Sequence, residues 1–476
     1  MIIANGSVAL PRSDAPARAD LRIIDGRIVE IGSNLRAGDG EQVVDAGGLL
    51  VLPGAVDPHV HFDTPGFESR ESFFRGSAEA ARGGVTTVID MPCTSLPPVT
   101  DAAALDAKLA VVSGQALVDY GFYGGVRGGS AGSELEDGMA SLAPRVLGFK
   151  CYLLSGMDTF PRVNHEELGR AIAQAAALGR PLLLHAEDAD YCAAARIRVE
   201  ATRTARGGGK PTWDDYVDSR PASAERIACA VASELAAERG CSSTLHVVHV
   251  GVAAAASALA RSGATCETCA HYLAFTREDF AVHGAALKTA PPVKGGAERE
   301  KLWALLADGT IPFVTSDHAP STREEKRSGS VWTDYGGIPG TGTLLPYLLS
   351  EGWLAGRLTL TRFLEATSGA AAARFGLDDR KGSIEVGKDA DLVLVDPGAK
   401  TVIHGDRLYS KGRDTPFEGM ELRGAVRSTW VRGRMVYDAG RDAMPTEASP
   451  VPGIVAEAGW GRFLTSLRDN SPMDYL

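Results

Sequence analysis

Two histidines stand one residue apart in VDPHVHFDTPG, residues 56–66, just past the apolar run GLLVLPGAV. In an extended strand, residues i and i+2 project to the same side, so His59 and His61 present two imidazoles toward one point. A neutral imidazole is a borderline-soft nitrogen ligand, and two on one face are the beginning of a metal grip. An isolated HxH is also what a strand end with two solvated histidines looks like, so the rest of the chain must decide. Other apolar runs carry polar residues at their ends: Lys150 in VLGFKCYL, His185 in PLLLHAED, His249 in TLHVVHVG and Asp317 in IPFVTSDHAP. Scattered structural histidines have no reason to recur at equivalent strand positions. Four histidines and one aspartate exceed the needs of a single ion, and together with Lys150 they point to two divalent metals sharing a bridge, with zinc the best match to the ligand types. Lys150 is the informative residue. An ammonium in an apolar strand beside cations is desolvated and repelled, so it is expected to lose its proton or be modified. A neutral amine adds carbon dioxide to become a carbamate, an anion able to bridge two metals. The competing readings are a lysine that snorkels to the rim or pairs with a carboxylate.

These residues are positioned by an alternation that runs from about residue 51 to 375. Eight strand-like runs, VLPGAVDPHVHF, GVTTVIDMP, LVDYGFYGG, VLGFKCYL, PLLLHAED, TLHVVHVG, TCETCAHYLAF and IPFVTSDHAP, are separated by Ala/Leu/Glu-rich segments such as NHEELGRAIAQAAALG. Continuous apolar strands followed by helices predict an α/β fold with a parallel sheet covered by helices, and eight repeats predict closure into a (β/α)8 TIM barrel. A doubly wound open sheet is the alternative. In a barrel, the C-terminal strand ends form one mouth, where chemistry sits. Short runs near both termini, LRIIDGRIVEIG and QVVDAGGLLVLPG, then DADLVLVDP and RGAVRSTWVRGRMVYD, read as strands of one all-β unit interrupted by a long insertion. The predicted organisation is 1–50 and 381–440 for the two halves of that unit and 51–380 for the barrel. A tail, 441–476, is expected to pack on a neighbouring subunit. RTARGGGKPTWDDYVD, residues 203–218, reads as a loop.

The formal net charge of -11 argues against a nucleic-acid groove, which needs clustered Lys and Arg. No segment holds ~18 consecutive apolar residues, and the start, MIIANGSVALP, lacks the pattern of a secretory signal. A cytoplasmic enzyme acting on a small molecule is the expectation, with neither nucleic acid nor membrane as partner. Seven cysteines, an odd number scattered through apolar segments, fit reduced thiols. The single CxxC, Cys266 and Cys269, has no second pair to complete a zinc site.

Taken in order, GAVDPHVHFDTPG, GGVTTVIDMPCTSLPPVT, GFKCYL, LLLHAED, HVVHVG, ETCAHYL and TSDHAP, followed by GGIPGTG, resemble the cyclic amidohydrolases: allantoinases, dihydroorotases and hydantoinases or dihydropyrimidinases. The resemblance extends from the N-terminal strands to VRGRMVYD. It implies a distorted barrel, a small β-sandwich built from both termini, a binuclear metal centre and a homo-oligomer, dimer or tetramer. Carried over position by position, His59 and His61 with Asp317 hold one metal, His185 and His249 hold the other, and carbamylated Lys150 bridges them. His246 is the rival to His249, but His249 lies nearer the strand's C-terminal end. His271 is expected to be supporting rather than ligating. Ring opening then follows, by a water acidified between two cations, with Asp317 accepting its proton and passing it to the leaving ring nitrogen.

The ring itself is less directly encoded. Dihydroorotases carry an arginine two residues after the second histidine, where this chain has Asp63, which would repel a substrate carboxylate. Hydantoinases often have Asp there, but they place a tyrosine five residues after the bridging lysine, where this chain has Ser155; Tyr152 stands two after. GFKCYLLSG and IDMPCTSLPP are more similar to allantoinase. The family reads its ring through backbone groups, here at Ala290 and Gly336. A neutral cyclic ureide such as allantoin is the first expectation, and a hydantoin or dihydropyrimidine the second. A mononuclear deaminase needs no Lys150, and a noncatalytic scaffold needs no ligands, so metal content separates these classes.

Overall fold

Strands from both ends of the chain pair with one another in the computed structural model, which describes residues 1–466. Ile2–Val8, Ala17–Ile24, Arg27–Gly32, Val43–Asp45 and Leu50–Pro53 join Leu392–Val402, Glu421–Val431 and Arg434–Asp438 in a single eight-stranded sheet. The seam is antiparallel, with Val51 opposite Leu394 and Leu52 opposite Val393. Leu50–Pro53 is buried throughout, which explains its unbroken apolar sequence, and it carries the terminal sheet past residue 50. Ile3, Leu21, Ile28, Val51 and Leu392 form a core of their own beneath this sheet.

The eight internal runs all contain strand, and every pairing among them is parallel. Ala55–Val60, Val85–Asp90 and Asp119–Phe122 form one sheet; Gly124–Gly125, Phe149–Tyr152, Leu182–His185, Leu245–Val247, Thr265–Cys269 and Phe313–Thr315 follow in chain order in another. Only Tyr123 separates Asp119–Phe122 from Gly124–Gly125, so one bent segment serves both sheets. At the opposite margin the His61 N–H donates to the His318 carbonyl at 2.7 Å, and Val60 bridges His318 in parallel. Helices intervene between most of the strands, as the alternation of continuous apolar runs with Ala/Leu/Glu-rich segments predicts. His165–Ala177 begins with a reciprocal cap in which Asn164 accepts from the Glu167 N–H and Glu167 accepts from the Asn164 N–H, which accounts for the NHEE sequence.

One expectation changes. Residues 203–218 are not all loop, because Ala189–Ala205 extends into them and Trp213–Ser219 is helical, its start fixed by a Thr212/Asp215 capping box. The tail packs on its own chain as far as it is described: Gly459 and Gly461 N–H donate to Ala116 O, Leu464 N–H to Tyr120 O, and Phe463 lies 5.8 Å from the Tyr120 ring. Residues 467–476 of the tail lie outside the described residues. Among the described residues, no helix is long and apolar enough to cross a membrane.

Candidate metal centre and substrate cavity

The polar residues singled out by position converge at the C-terminal ends of the parallel strands. His59 lies within Ala55–Val60 and His61 just beyond it; Lys150 lies in Phe149–Tyr152; His185 ends Leu182–His185; His249 and Asp317 each follow their strand by two residues. Asp317 Oδ1 lies 3.2 Å from His59 Nε2 and 3.6 Å from His61 Nε2. His185 Nδ1 and His249 Nε2 are 3.0 Å apart, and the His59 and His249 ring centroids 5.4 Å apart. His249 and Asp317 have φ of 40° and 48°, left-handed values that non-glycine residues seldom adopt and that accumulate at functional sites. Lys150 Nζ is fully buried, makes no hydrogen bond and lies 4.6 Å from the centroid of the Tyr152 ring. It neither snorkels nor pairs with a carboxylate.

Behind this set are carboxylates that reading the sequence did not single out. Glu267 Oε1 is 2.5 Å from His59 Nδ1, and Glu187 Oε2 is 2.9 Å from His185 Nε2. A carboxylate only accepts, so those ring nitrogens carry the protons and the opposite nitrogens turn their lone pairs toward the cluster. Glu187 is in turn clasped by Arg220. His246 contacts Thr265 Oγ1 at 2.7 Å and Glu267 Oε2 at 3.1 Å, so both its nitrogens are engaged away from the cluster, whereas His249 Nδ1 has no partner. The signal for Glu267 was present: an acidic residue inside the buried strand TCETC. The two cysteines of that strand are three residues apart and therefore project to opposite faces. Cys269 instead lies with His271 and Asp317, one donor atom of each within 4.8 Å of the others, and His271 Nε2 has no partner, so His271 stands closer to the centre than expected.

The amidohydrolase family model matches residues 50–436, spanning every strand and side chain of this cluster. The chain belongs to the amidohydrolase family. Over 431 residues it is 42% identical to an allantoinase of Rubrobacter xylanophilus, covering 89% of this chain and 91% of that one. A dihydroorotase of Halobacterium salinarum is 39% identical over 422 residues, covering 88% and 93% respectively. Among solved structures, the L-hydantoinase (dihydropyrimidinase) of Arthrobacter aurescens superposes with a TM-score of 0.87 at 30% identity, over 98% of this chain and 99% of that one.

In this amidohydrolase the electrostatics suit a cation. Burial, the largest cause, lowers the His59 imidazole to about 3, lowers His185, and takes His249 well below its ordinary value, so these rings are neutral donors. Burial likewise brings Lys150 down to about 8. Burial alone would raise the Asp317 carboxyl, but His59, His61 and His249 outweigh it and hold that group well below the usual carboxylate range. His61 differs: burial would lower it, but Cys93 and Asp317 outweigh burial and raise that imidazole to about 10, so it gives up a proton to a cation that binds there. Three neutral imidazoles, an ionised carboxylate and an unpartnered amine beside it make a donor set that fits divalent metal ions.

A cavity of about 550 Å³ opens over these residues, and Ser155, Ala290 and Gly336 line it. Among the described residues, no hydrogen-bonding partner meets the backbone N–H or C=O of Ala290 or Gly336, which leaves those groups for a ligand. The Ser155 hydroxyl donates to Phe160 O at 2.7 Å and accepts from Met157 N–H at 3.2 Å, so it shapes its loop. Tyr152 also lines the cavity and stacks on His185, with centroids 5.2 Å apart. Asp63 is the exception. It is absent from the cavity wall and 1% exposed, its backbone is left-handed, its carbonyl closes a turn to Phe67 N–H, and both carboxyl oxygens lack partners. The turn directs this side chain into the protein, and burial pushes its carboxyl well up.

Proposed function

We propose that this amidohydrolase opens a cyclic ureide ring by hydrolysis, converting allantoin to allantoate in the cytoplasm. The observation that carries the reading is the convergence of His59, His61, His185, His249 and Asp317 around a buried lysine amine with no partner. The fold is read as a distorted (β/α)8 barrel over residues 51–380, closed where Val60 meets His318, with residues 1–50 and 381–440 forming a β-sandwich, a tail over 441–476, and assembly as a homo-oligomer. His59, His61 and Asp317 would hold one zinc ion and His185 with His249 a second. Lys150 would bridge them as a carbamate: its neutral amine forms a bond to the carbon of carbon dioxide and loses a proton, leaving an anion. When bound, two such ions supply acidification of a water and polarisation of a ring carbonyl.

The chain's own residues do the rest. Ala290 and Gly336 offer free backbone donors and acceptors to the ring's amide edge, which fixes the carbonyl to be attacked. Asp317, an ionised carboxylate on the cavity wall, accepts the proton of the attacking water and delivers it to the ring nitrogen as the C–N bond breaks. Glu267 and Glu187 keep His59 and His185 in single tautomers through this cycle.

Likeness to solved hydantoinases favours a second reading, in which an unsubstituted hydantoin or a dihydropyrimidine is opened. Both readings are tested by assaying metal-loaded protein for ring opening on allantoin, hydantoin, dihydrouracil, dihydroorotate and cyclic imides. Allantoin is expected to give the highest kcat/KM. Preference for hydantoin or dihydrouracil would move the assignment to the second reading, and turnover of none of them by a protein holding two metals would end both.

A further inference from the structure

Three cations line the cavity, Arg196, Arg220 and Lys288, and their donors are not equally engaged. Arg220 is taken up by Glu187. The Lys288 ammonium donates to the backbone carbonyls of Trp332, at 3.4 Å, and Asp334. Arg196 gives only its Nε–H, to Glu200 Oε1 at 3.0 Å, and among the described residues no acceptor meets either of its Nη groups. Its guanidinium carbon lies 4.4 Å from the Trp332 ring centroid, and the side chain is 50% exposed. An indole face holds a guanidinium by cation–π attraction while its N–H edge remains free. A planar donor fork therefore lies on the cavity wall, propped by the indole face and by Glu200, with both its Nη groups unused.

We propose that Arg196 is the specificity residue that reads the substituent a ring carries away from its amide edge, recognising a planar hydrogen-bond acceptor. This rests on the ring-hydrolase reading and divides the labour within it: the free backbone groups of Ala290 and Gly336 read the ring, and Arg196 reads what hangs from it. The acceptor is the ureido carbonyl of allantoin or the carboxylate of an acid-bearing ring, and both match the guanidinium fork. Asp63, buried off the cavity wall, makes no contact with that substituent.

The test compares the unaltered protein with Arg196→Gln and Arg196→Lys on allantoin, hydantoin-5-acetate and unsubstituted hydantoin, resolving kcat and KM. For a ring that is bound but not opened, its inhibition constant against allantoin replaces KM. Arg196→Gln is expected to lower kcat/KM for allantoin by about 10- to 100-fold, chiefly through KM, while hydantoin changes by less than about threefold. Arg196→Lys, a point charge without the fork, is expected to recover affinity for hydantoin-5-acetate in a salt-sensitive way but not for allantoin. Equal losses on allantoin and hydantoin, or no loss on either, overturn the inference. Failure of the unaltered protein to open any ring overturns the hydrolase reading, and this inference with it.

Discussion

Lys150 is the residue on which the chemistry turns, because a fully buried amine with no hydrogen bond stands at a mouth lined by histidines and an ionised carboxylate. If it works as a carbamate, metal-free protein reconstituted with zinc gains activity as bicarbonate is added. Lys150→Ala is expected to lose both metal and turnover, with partial recovery by a short carboxylic acid that fills the vacated space; Lys150→Arg keeps the bulk and the charge and is not rescued. Bicarbonate-independent reconstitution, or an active Lys150→Ala protein with a full metal complement, would return Lys150 to a structural role. Glu267 sets a second test. It accepts from His59, His246 and Thr315, so Glu267→Ala removes the acceptor that fixes the His59 tautomer, and metal affinity measured by competition with a chelator should fall about 10- to 100-fold. His249→Ala should lower the bound metal and abolish turnover. Retention of metal by His249→Ala with loss in His246→Ala would reverse the choice between these histidines, which the geometry makes on the ground that His246 has no nitrogen left to give.

At the scale of elements, the site depends on loops pinned from outside the cluster. Arg70, in the loop after the first parallel strand, donates to Glu325 Oε1 at 2.7 Å and covers the Tyr335 ring at 4.4 Å, tying its own loop to the one that brings Tyr335, Gly336 and Gly337 to the cavity. Arg70→Met should raise KM for the ring by about threefold to tenfold with metal content unchanged, since a loop misplaced by an ångström loses positioning but not ligands. An unaltered KM would show that the loop holds its place without this anchor. The elements themselves were readable in advance to an uneven degree. Strands buried on both faces announce themselves as apolar runs, and a polar side chain near the end of such a run is conspicuous, so the convergence of the histidines, Lys150 and Asp317 on one mouth was legible. Glu267 and Glu187 were not marked out, because a carboxylate supporting a histidine is recognisable only once the neighbouring strand or loop is placed beside it. Asp63 was offered as a substrate contact from its family position two residues after His61; in the structure the chain turns there through a left-handed residue and buries the carboxyl off the cavity wall, which position in the sequence alone does not reveal. The helix Trp213–Ser219 was hidden by the glycines before it, although Thr212 and Asp215 spelled its cap.

Across the whole molecule, a buried ion cluster joins the terminal sheet to the parallel strands. Lys381 Nζ lies 2.6 Å from Asp119, 2.9 Å from Asp389 and 2.7 Å from Asp391, all buried, and Arg432 also meets Asp119. These aspartates group as a metal site would, but the Lys381 ammonium already occupies their centre. Lys381→Met leaves three carboxylates without their shared cation and should cost about 3–5 kcal/mol, read as a lowered midpoint of denaturant unfolding; a midpoint within error of the unaltered protein would show that the cluster is dispensable. The same cluster receives the Arg462 backbone N–H at Asp119, so the described part of the tail shares in this junction. All of this architecture brings the strand ends to one mouth, and the central claim is that water opens a ring there. The most direct measurement is turnover of allantoin by metal-loaded protein in ¹⁸O-labelled water, with the product examined by mass spectrometry. The account predicts a ring-opened product carrying one labelled oxygen, in its new carboxylate, and none formed by Asp317→Asn. An unlabelled product, or no ring opening by a protein that holds both metals, would contradict it.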